Sequence, residues 1–216
     1  MSGADAVRRW YSLVAPAYDL LARSRLVAPY RAVAADAAGL SAGDVVVDVG
    51  TGTGANLAHL RRRVGASGTV LGLDLTPRLL AVAAREGAGD LLLGDARDPP
   101  VCGGADALVG TFVAGMVADP ETMVDRWGDC LRPGGRIVLL DAAPRNGRGT
   151  ILDELARAAF SAEATPGTRS RTGRPPATVL FERIGAAHDA VAALDGGRTV
   201  AYLGGYLRVT SGSVGR

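Results

Sequence analysis

The sequence predicts one α/β domain of three layers, with a doubly wound, mostly parallel seven-stranded sheet between helices, and three observations support it. Strand-like and helix-like segments alternate between residues 45 and 141, as they do in parallel sheets whose crossovers are helices. The segment Val45–Val49 is apolar except for Asp48, which is typical of a strand covered on both faces. A glycine-rich turn, Gly50–Gly54, follows directly, at the edge where open α/β sheets bind ligands.

Two helices are predicted ahead of the first strand. Val7, Trp10 and Val14 recur at close to the helical period, and we expect Trp10 to be a core residue. Pro29 stands where a second helix can begin, because proline fits the first helical turn. Residues 1–41 are therefore expected to form a helical cap on the sheet.

The segment after the glycine-rich turn continues the alternation of helix and strand. Leu57, Leu60 and Val64 predict a helix that packs one face on the sheet. Two more helices are predicted at Thr76-Pro77 and Asp119-Pro120, because Thr and Asp cap helix N-termini and proline fits the turn that follows. Further strands are predicted at Thr69–Asp74, Asp90–Leu93, Ala105–Phe112 and Arg136–Asp141, and Pro133–Gly135 is expected to end the helix before the last of these.

The C-terminal third completes the sheet. Residues 148–164 and 177–194 have helical patterns, and the Pro, Gly, Ser, Thr and Arg residues of 165–176 predict a solvated loop between them. Thr199–Ser213 contains Val, Tyr and Thr around central glycines, which predicts two strands in a hairpin. No internal repeat or second domain is expected.

Composition and charge argue against several classes of protein. No apolar run approaches the roughly 20 residues that a membrane helix needs, so no integral membrane segment is expected. The net charge of only +2 gives no support to a nucleic-acid partner. The N-terminus lacks the pattern of a signal peptide, and Cys102 and Cys130 are not in a metal-binding spacing. We therefore expect a cytoplasmic protein with reduced thiols and no metal site.

Acidic residues follow three successive predicted strands: Asp48, Asp74 and Asp95. Because parallel strands end at one edge of a sheet, these carboxylates are expected to converge on one elongated ligand. Asp74 lies 24 residues beyond Gly50, the spacing of the carboxylate that accepts both hydroxyl protons of a ribose. Asp95 can accept from the exocyclic amine of an adenine, while the backbone N–H of Ala96 donates to a ring nitrogen.

This ordered set resembles the class I S-adenosylmethionine-dependent methyltransferases. The resemblance rests on Asp48–Gly54, Asp74, Gly94–Ala96 and Leu131–Gly135, and it covers roughly residues 8–145. The segment Trp10–Asp19 resembles the Tyr-Asp segment of the ubiquinone/menaquinone methyltransferase branch. The resemblance implies the Rossmann-like fold of that class, with S-adenosyl-L-methionine as the cofactor. It divides the single domain into the cap (1–41), a cofactor-binding core (42–145), a helical substrate-side region (146–197) and C-terminal strands (198–216).

The resemblance also implies roles for residues around the methionine part of the cofactor. Gly50, Gly52 and Gly54 would pack beneath it, with Asp48 near its ammonium group and Thr53 hydrogen-bonded to the cofactor at the turn. The glycines leave room for the ligand because they carry no Cβ.

The other implied contacts extend along the cofactor in both directions. Asp74 would hold the ribose and Leu75 would pack near the adenine, which Asp95 and Ala96 would recognise. Three further residues are expected at the opposite end of the cofactor. Thr111 and Phe112 would lie beside the amino-acid part and the reactive methyl, and Tyr18 would close over the carboxylate.

The acceptor side departs from the resemblance. Many family members carry His or Asn soon after the fourth strand, whereas Thr111–Val117 offers no evident base, and the catalytic residue is left unassigned. This favours catalysis by proximity or an acceptor that ionises easily. The apolar lining favours a small, largely apolar acceptor such as a quinone precursor, a lipid or a secondary metabolite. His188 lies outside the recognisable core, and a structural role is favoured for it.

Two alternatives stay open at the level of sequence. One is a non-catalytic protein that binds S-adenosylmethionine, and the other is an NAD(P)-dependent oxidoreductase. The glycine-rich turn followed by Ala55 fits the dinucleotide pattern, but a chain without lysine has no Tyr-x-x-x-Lys pair. A homodimer is also left open.

Overall fold

The computed structural model describes residues 27–85, 89–101, 103–142 and 176–215. Its seven strands form one sheet in the order β3-β2-β1-β4-β5-β7-β6, in which β7 runs antiparallel to its neighbours β5 and β6 and the other pairs are parallel. The strands are β1 (Val45–Val49), β2 (Thr69–Asp74), β3 (Asp90–Leu93), β4 (Ala105–Thr111), β5 (Leu131–Ala142), β6 (Asp195–Tyr202) and β7 (Leu207–Ser213). The predicted mostly parallel sheet and its C-terminal hairpin are confirmed.

Helices cover both faces of the sheet. They are α1 (Ala28–Ala37), α2 (Leu57–Val64), α3 (Pro77–Arg85), α4 (Pro120–Asp129) and α5 (Pro176–Ala192), and a short 3-10 helix at Ala114–Met116 follows β4. Asp119 caps α4 as predicted, because its carboxylate accepts from the Thr122 N–H at 3.1 Å. Among the residues described, no helix combines the length and apolar character needed to cross a membrane.

The core has two parts, one on each face of the sheet. Val46 packs with side chains of α1 and α2, whereas Val47 and Val49 pack with the fully buried Trp127 of α4 and with α5. Because side chains alternate along a strand, Asp48 faces the α1/α2 side. By the same alternation Asp141, near the end of β5, faces α5.

Strand β5 differs from the prediction at its start. It begins at Leu131 rather than Arg136, so Pro133–Gly135 lies within it instead of ending the preceding helix. The register with β4 shifts between the Ala105–Leu131 and Ala107–Arg136 pairs, which shows that this stretch is irregular before regular pairing begins. The predicted N-terminal helix, the helix at 148–164 and most of the loop at 165–176 lie outside the described residues.

Candidate active site

The glycine-rich turn folds back over the end of β2. The N–H groups of Gly50 and Thr51 both donate to the Leu73 carbonyl, at 2.8 and 2.9 Å. Gly50 has a φ of 73°, and a Cβ at this position would lie 2.9 Å from Cγ2 of Val113. A side chain at Gly50 would therefore be strained and would displace the segment after β4. The turn is thus packed between β2 and the segment that follows β4.

Asp74, at the end of β2, is tied directly to this turn. Its carboxylate accepts from the N–H of Gly52 at 2.9 Å and from the N–H of Thr76 at 2.8 Å. Burial raises the pKa of Asp74, and these backbone donors oppose the rise. Leu75 follows and is half-buried. The carboxylate expected to meet a ribose therefore lies against the glycine-rich turn, as the sequence predicted for neighbouring strand ends.

Asp48, at the end of β1, is fully buried. One carboxylate oxygen accepts from the Thr51 hydroxyl at 2.5 Å, and the other accepts from the Asn56 side-chain amide at 2.7 Å. Burial raises the pKa of Asp48, while the two hydrogen bonds and the positive charge of Arg31 oppose the rise. The Asp48 carboxylate therefore joins the glycine-rich turn, through Thr51, to the start of α2, through Asn56.

The sequence reasoning missed a buried polar network that extends from Asp48. Arg31 of α1, only 4% exposed, donates from one guanidinium nitrogen to Oδ1 of the Asn56 side chain and to the Thr111 hydroxyl, each at 2.7 Å. The Asn56 amide nitrogen also lies 3.0 Å from the Thr111 hydroxyl. The network brings a positive charge to the end of the sheet beside the Asp48 carboxylate. The available clue was an arginine on the same helix face as Ala34 and Ala35.

The backbone at the end of β4 adopts an unusual conformation. Phe112 has a φ of 58°, which is rare for a residue with a bulky side chain, and its N–H donates to the Leu140 carbonyl at 2.8 Å. The Phe112 ring centroid lies 5.4 Å from the central guanidinium carbon of Arg31. Thr111 and Phe112 thus meet the Asp48 network at the end of β4, and their place beside the reacting group stays a prediction.

The turn after β3 lies at the same edge but forms its own contacts. The Asp95 carboxylate accepts from Arg97 through both oxygens, at 3.0 and 2.6 Å, and the hydrogen bond from Arg97 lowers the pKa of Asp95. The Ala96 carbonyl accepts from the indole N–H of Trp127 at 2.7 Å, which anchors this turn to the core. The Gly94 N–H donates to the Asp74 carbonyl at 3.0 Å, so the turn adjoins the Asp74 strand end. Recognition of adenine by Asp95 and Ala96 stays a prediction.

The structure thus brings most of the predicted site residues to one edge of the sheet. The remaining turn residues Gly52 and Gly54 have φ values of 57° and 83°, and Thr53 between them is buried. Tyr18 lies outside the described residues. Within the ranges that the structure describes, no cluster of three or more His, Cys, Asp or Glu side chains is arranged to hold a metal ion.

A doubly wound sheet of this strand order, with carboxylates beside a glycine-rich turn, has the architecture of the class I methyltransferases, whose cofactor is S-adenosylmethionine. Residues 47–139 match the family described as the methyltransferase domain. Over residues 47–139 the chain therefore matches a methyltransferase domain, and the core of the candidate site lies inside this matched segment.

Similar proteins agree with this assignment. The nocamycin O-methyltransferase of Saccharothrix syringae is 36% identical over 106 residues, which cover 46% of this chain and 38% of that protein. The demethylmenaquinone methyltransferase of Tropheryma whipplei is 32% identical over 152 residues, covering 62% of this chain and 58% of the relative. The chain thus spans well under two thirds of the length of these curated relatives.

The fold is also found among solved structures. A chain of the complex between the Trm112 methyltransferase activator and a methyltransferase of Haloferax volcanii aligns with a TM-score of 0.69 and 20% identity, over 95% of this chain and 98% of that one. At this level of identity the likeness establishes the fold.

Proposed function

We propose that this chain transfers a methyl group from S-adenosylmethionine to a small, largely apolar acceptor. The observation that carries the proposal is the pair of buried carboxylates, Asp48 and Asp74, at the ends of adjacent strands and joined through the glycine-rich turn. Carboxylates suit a ligand with hydroxyl groups and positive charge, whereas a phosphate would be repelled. An adenosyl sulfonium has both features that this site favours.

The described residues would contact the cofactor in a defined order along the edge. Asp74 would accept from the ribose hydroxyls, and the turn at Asp95 would adjoin the adenine. At the other end, Asp48 and Arg31 hold Asn56 and Thr111 in place, where these two residues would lie beside the methionine part. These roles rest on the placement of the strand ends and on the hydrogen bonds within the buried network.

S-adenosylmethionine, when bound, supplies an activated methyl group on a positively charged sulfonium. The segment Thr111–Val117 contains no titratable side chain. The contribution of this segment would therefore be to orient the acceptor at near-attack distance and to exclude water. A base is needed only for an acceptor that keeps its proton at neutral pH.

The acceptor is proposed from two lines of support. In the segment after β4 the side chains of Phe112 and Met116 are partly exposed, and both favour contact with an apolar molecule. Two similar proteins, the nocamycin O-methyltransferase and the demethylmenaquinone methyltransferase, carry the names of small molecules. A quinone precursor or a secondary metabolite fits both lines best. A cytoplasmic location and a homodimeric state stay predictions.

Calorimetric titration tests the cofactor. We expect S-adenosylhomocysteine to bind with micromolar-range affinity and NADH not to bind; the opposite result would refute the proposal in favour of an oxidoreductase. Asp74→Ala should weaken S-adenosylhomocysteine binding by about 1–3 kcal/mol, because charged hydrogen bonds to the ribose are lost. Asp90→Ala is the matched control, since Asp90 is an exposed aspartate on the neighbouring strand and its loss should leave affinity unchanged.

Methyl transfer itself is tested by turnover with quinols, phenols and lipids, measured as S-adenosylhomocysteine formed. Methylation of at least one apolar member supports the proposal. Tight binding of S-adenosylhomocysteine without turnover of any member would point instead to a non-catalytic binding protein.

A further inference from the structure

A second buried polar pair lies on the opposite face of the sheet, outside the cofactor contacts described above. His188 of α5 and Asp141 of β5 are 2% and 1% exposed, and Nε2 of His188 lies 3.2 Å from Oδ2 of Asp141. Nδ1 of His188 lies 2.6 Å from the hydroxyl of Thr210 in β7, which is 2.8 Å from the hydroxyl of Thr199 in β6. The pair therefore joins β5, α5 and the C-terminal hairpin.

The hydrogen-bonding pattern can be satisfied throughout. The imidazole donates from Nε2 to Asp141, and its Nδ1 accepts from the Thr210 hydroxyl, which in turn accepts from Thr199. Burial raises the pKa of Asp141, and the hydrogen bond from His188 opposes the rise. Apolar side chains of similar size often stabilise a core as well as such a pair or better, so its presence calls for a reason beyond stability.

The backbone N–H of Ala114 opposes the rise in the pKa of Asp141 and therefore lies near its carboxylate. The preceding residue in β5, Leu140, accepts from the N–H of Phe112 at 2.8 Å. Leu140 therefore holds the start of the segment 112–117, which we term the acceptor loop, and Asp141 lies beside it.

Helix α5 packs directly on the acceptor loop as well. A Cβ at Gly115 would collide with Leu180 and lie 3.2 Å from Ile184, so the loop and the helix are in close contact. His188 is one turn beyond Ile184 on the same face of α5. Any movement of this helix face would reach the acceptor loop both through packing and through Asp141.

The acceptor loop also contacts the cofactor side. Val113 lies against Gly50 of the glycine-rich turn, and Phe112 follows Thr111, which belongs to the Asp48 network. We propose that Asp141 and His188 are positioning residues for methyl transfer, which hold the acceptor loop in register with the methyl group. This inference rests on the proposed function, because the loop is placed beside the reacting atoms by the assigned cofactor site.

Substitution at His188 separates positioning from simple structural support. His188→Phe keeps a ring of similar size but removes both hydrogen bonds. We expect kcat to fall at least about tenfold, since small displacements of reacting groups cost rate steeply. S-adenosylhomocysteine affinity should change less than about threefold, because Asp48, Asp74 and the glycine-rich turn lie on or after other strands. Amide hydrogen exchange of residues 112–117 in the cofactor-product complex should accelerate while that of residues 50–56 does not.

Two further variants keep the test decisive if His188→Phe fails to fold. His188→Gln retains an N–H that can reach Asp141 and should recover most of kcat, whereas Asp141→Asn replaces the carboxylate by a weaker acceptor for His188 and should lower kcat. Asp189→Asn makes the same chemical change at the exposed neighbour of His188 and should match the wild type in all measurements.

The outcomes distinguish this proposal from the proposed function. Faster exchange in the acceptor loop together with a lower kcat and unchanged cofactor-product affinity supports the positioning role. An unchanged kcat in folded His188→Phe, or a loss of kcat that only parallels a general loss of stability and affinity, overturns it. A wild type that binds no S-adenosylhomocysteine, or that methylates no acceptor, refutes the proposed function and the role in turnover, while exchange still shows whether the pair holds the loop.

Discussion

Asp48 and Asp141 are buried on opposite faces of the sheet, each near the carboxyl end of a central strand, but their surroundings differ. Asp48 of β1 accepts from Thr51 and Asn56, and the positive charge beside it belongs to Arg31. Asp141 of β5 instead pairs with the imidazole of His188. Burial raises the pKa of both carboxyl groups, so each depends on its partners to remain ionised.

The difference concerns the charge of the partner. A guanidinium keeps its charge at every pH at which the protein folds. The Asp48 face therefore has a permanent positive charge beside its carboxylate, which suits binding of one invariant cofactor. The Asp141 carboxylate is instead hydrogen-bonded to an imidazole and lies beside the acceptor loop, the part expected to differ between enzymes with different acceptors.

The largest expected change in stability comes from removing the positive charge of Arg31. Arg31→Met removes the guanidinium that donates to Oδ1 of the buried Asn56 side chain, so the unfolding free energy should fall by about 2–3 kcal/mol. Urea denaturation with and without S-adenosylhomocysteine measures the loss. Arg85→Met, an exposed arginine on α3, is the control. Equal stability of the two variants would show that the network does not support the cofactor face.

A smaller change in stability, which depends on pH, is expected when Asp141 is substituted. Because the folded pKa lies above the ordinary 3.8, the folded state holds a proton that the unfolded state releases. The stability contributed by Asp141 is therefore complete below pH 3.8 and is lost as pH rises through the folded pKa. Asp141→Asn should make the fall in unfolding free energy with rising pH shallower, by at most about 1.4 kcal/mol per pH unit.

The measurement for Asp141 is a series of denaturation curves from pH 4 upward. Asp48 and Asp74 also have raised pKa values and act in the same direction, so a fall with pH persists in the variant. Asp189→Asn should reproduce the wild-type slope. An unchanged slope in Asp141→Asn would mean that the carboxyl group titrates alike in the folded and unfolded states.

The smallest change in stability is expected at Asp95, which is partly exposed in the turn after β3. Its pKa is lowered by Arg97, so its contribution to stability is present above pH 3.8 and is lost as pH falls through the folded pKa. Solvent screens this pair, and Asp95→Asn should change the unfolding free energy by less than about 1 kcal/mol. The same substitution should weaken S-adenosylhomocysteine binding by about 0.5–1.5 kcal/mol if Asp95 accepts from the adenine amine. An unchanged affinity by calorimetry would remove Asp95 from the cofactor site.

Local patterns were sufficient to predict the strands that build the site. The bounds of β1, β2 and β3 agree with the prediction, because apolar runs and turn residues act on the segment that contains them. The predicted start of β5 was wrong, since Pro133–Gly135 has the composition of a helix stop but is hydrogen-bonded through Gly134 and Gly135 to Gly215 and Val214, just beyond β7. Tertiary pairing there overrides the local preference.

The sequence alone determined the α/β class, the glycine-rich turn and the placement of Asp48, Asp74 and Asp95 at strand ends, because each depends on a short run of residues and on the shared direction of parallel strands. Only the tertiary structure decided which buried groups meet. Arg31 reaches Thr111 across 80 residues of sequence, and His188 reaches Asp141 across 47. Such contacts depend on how helices dock on the two faces of the sheet, and no periodicity within a single segment encodes that docking.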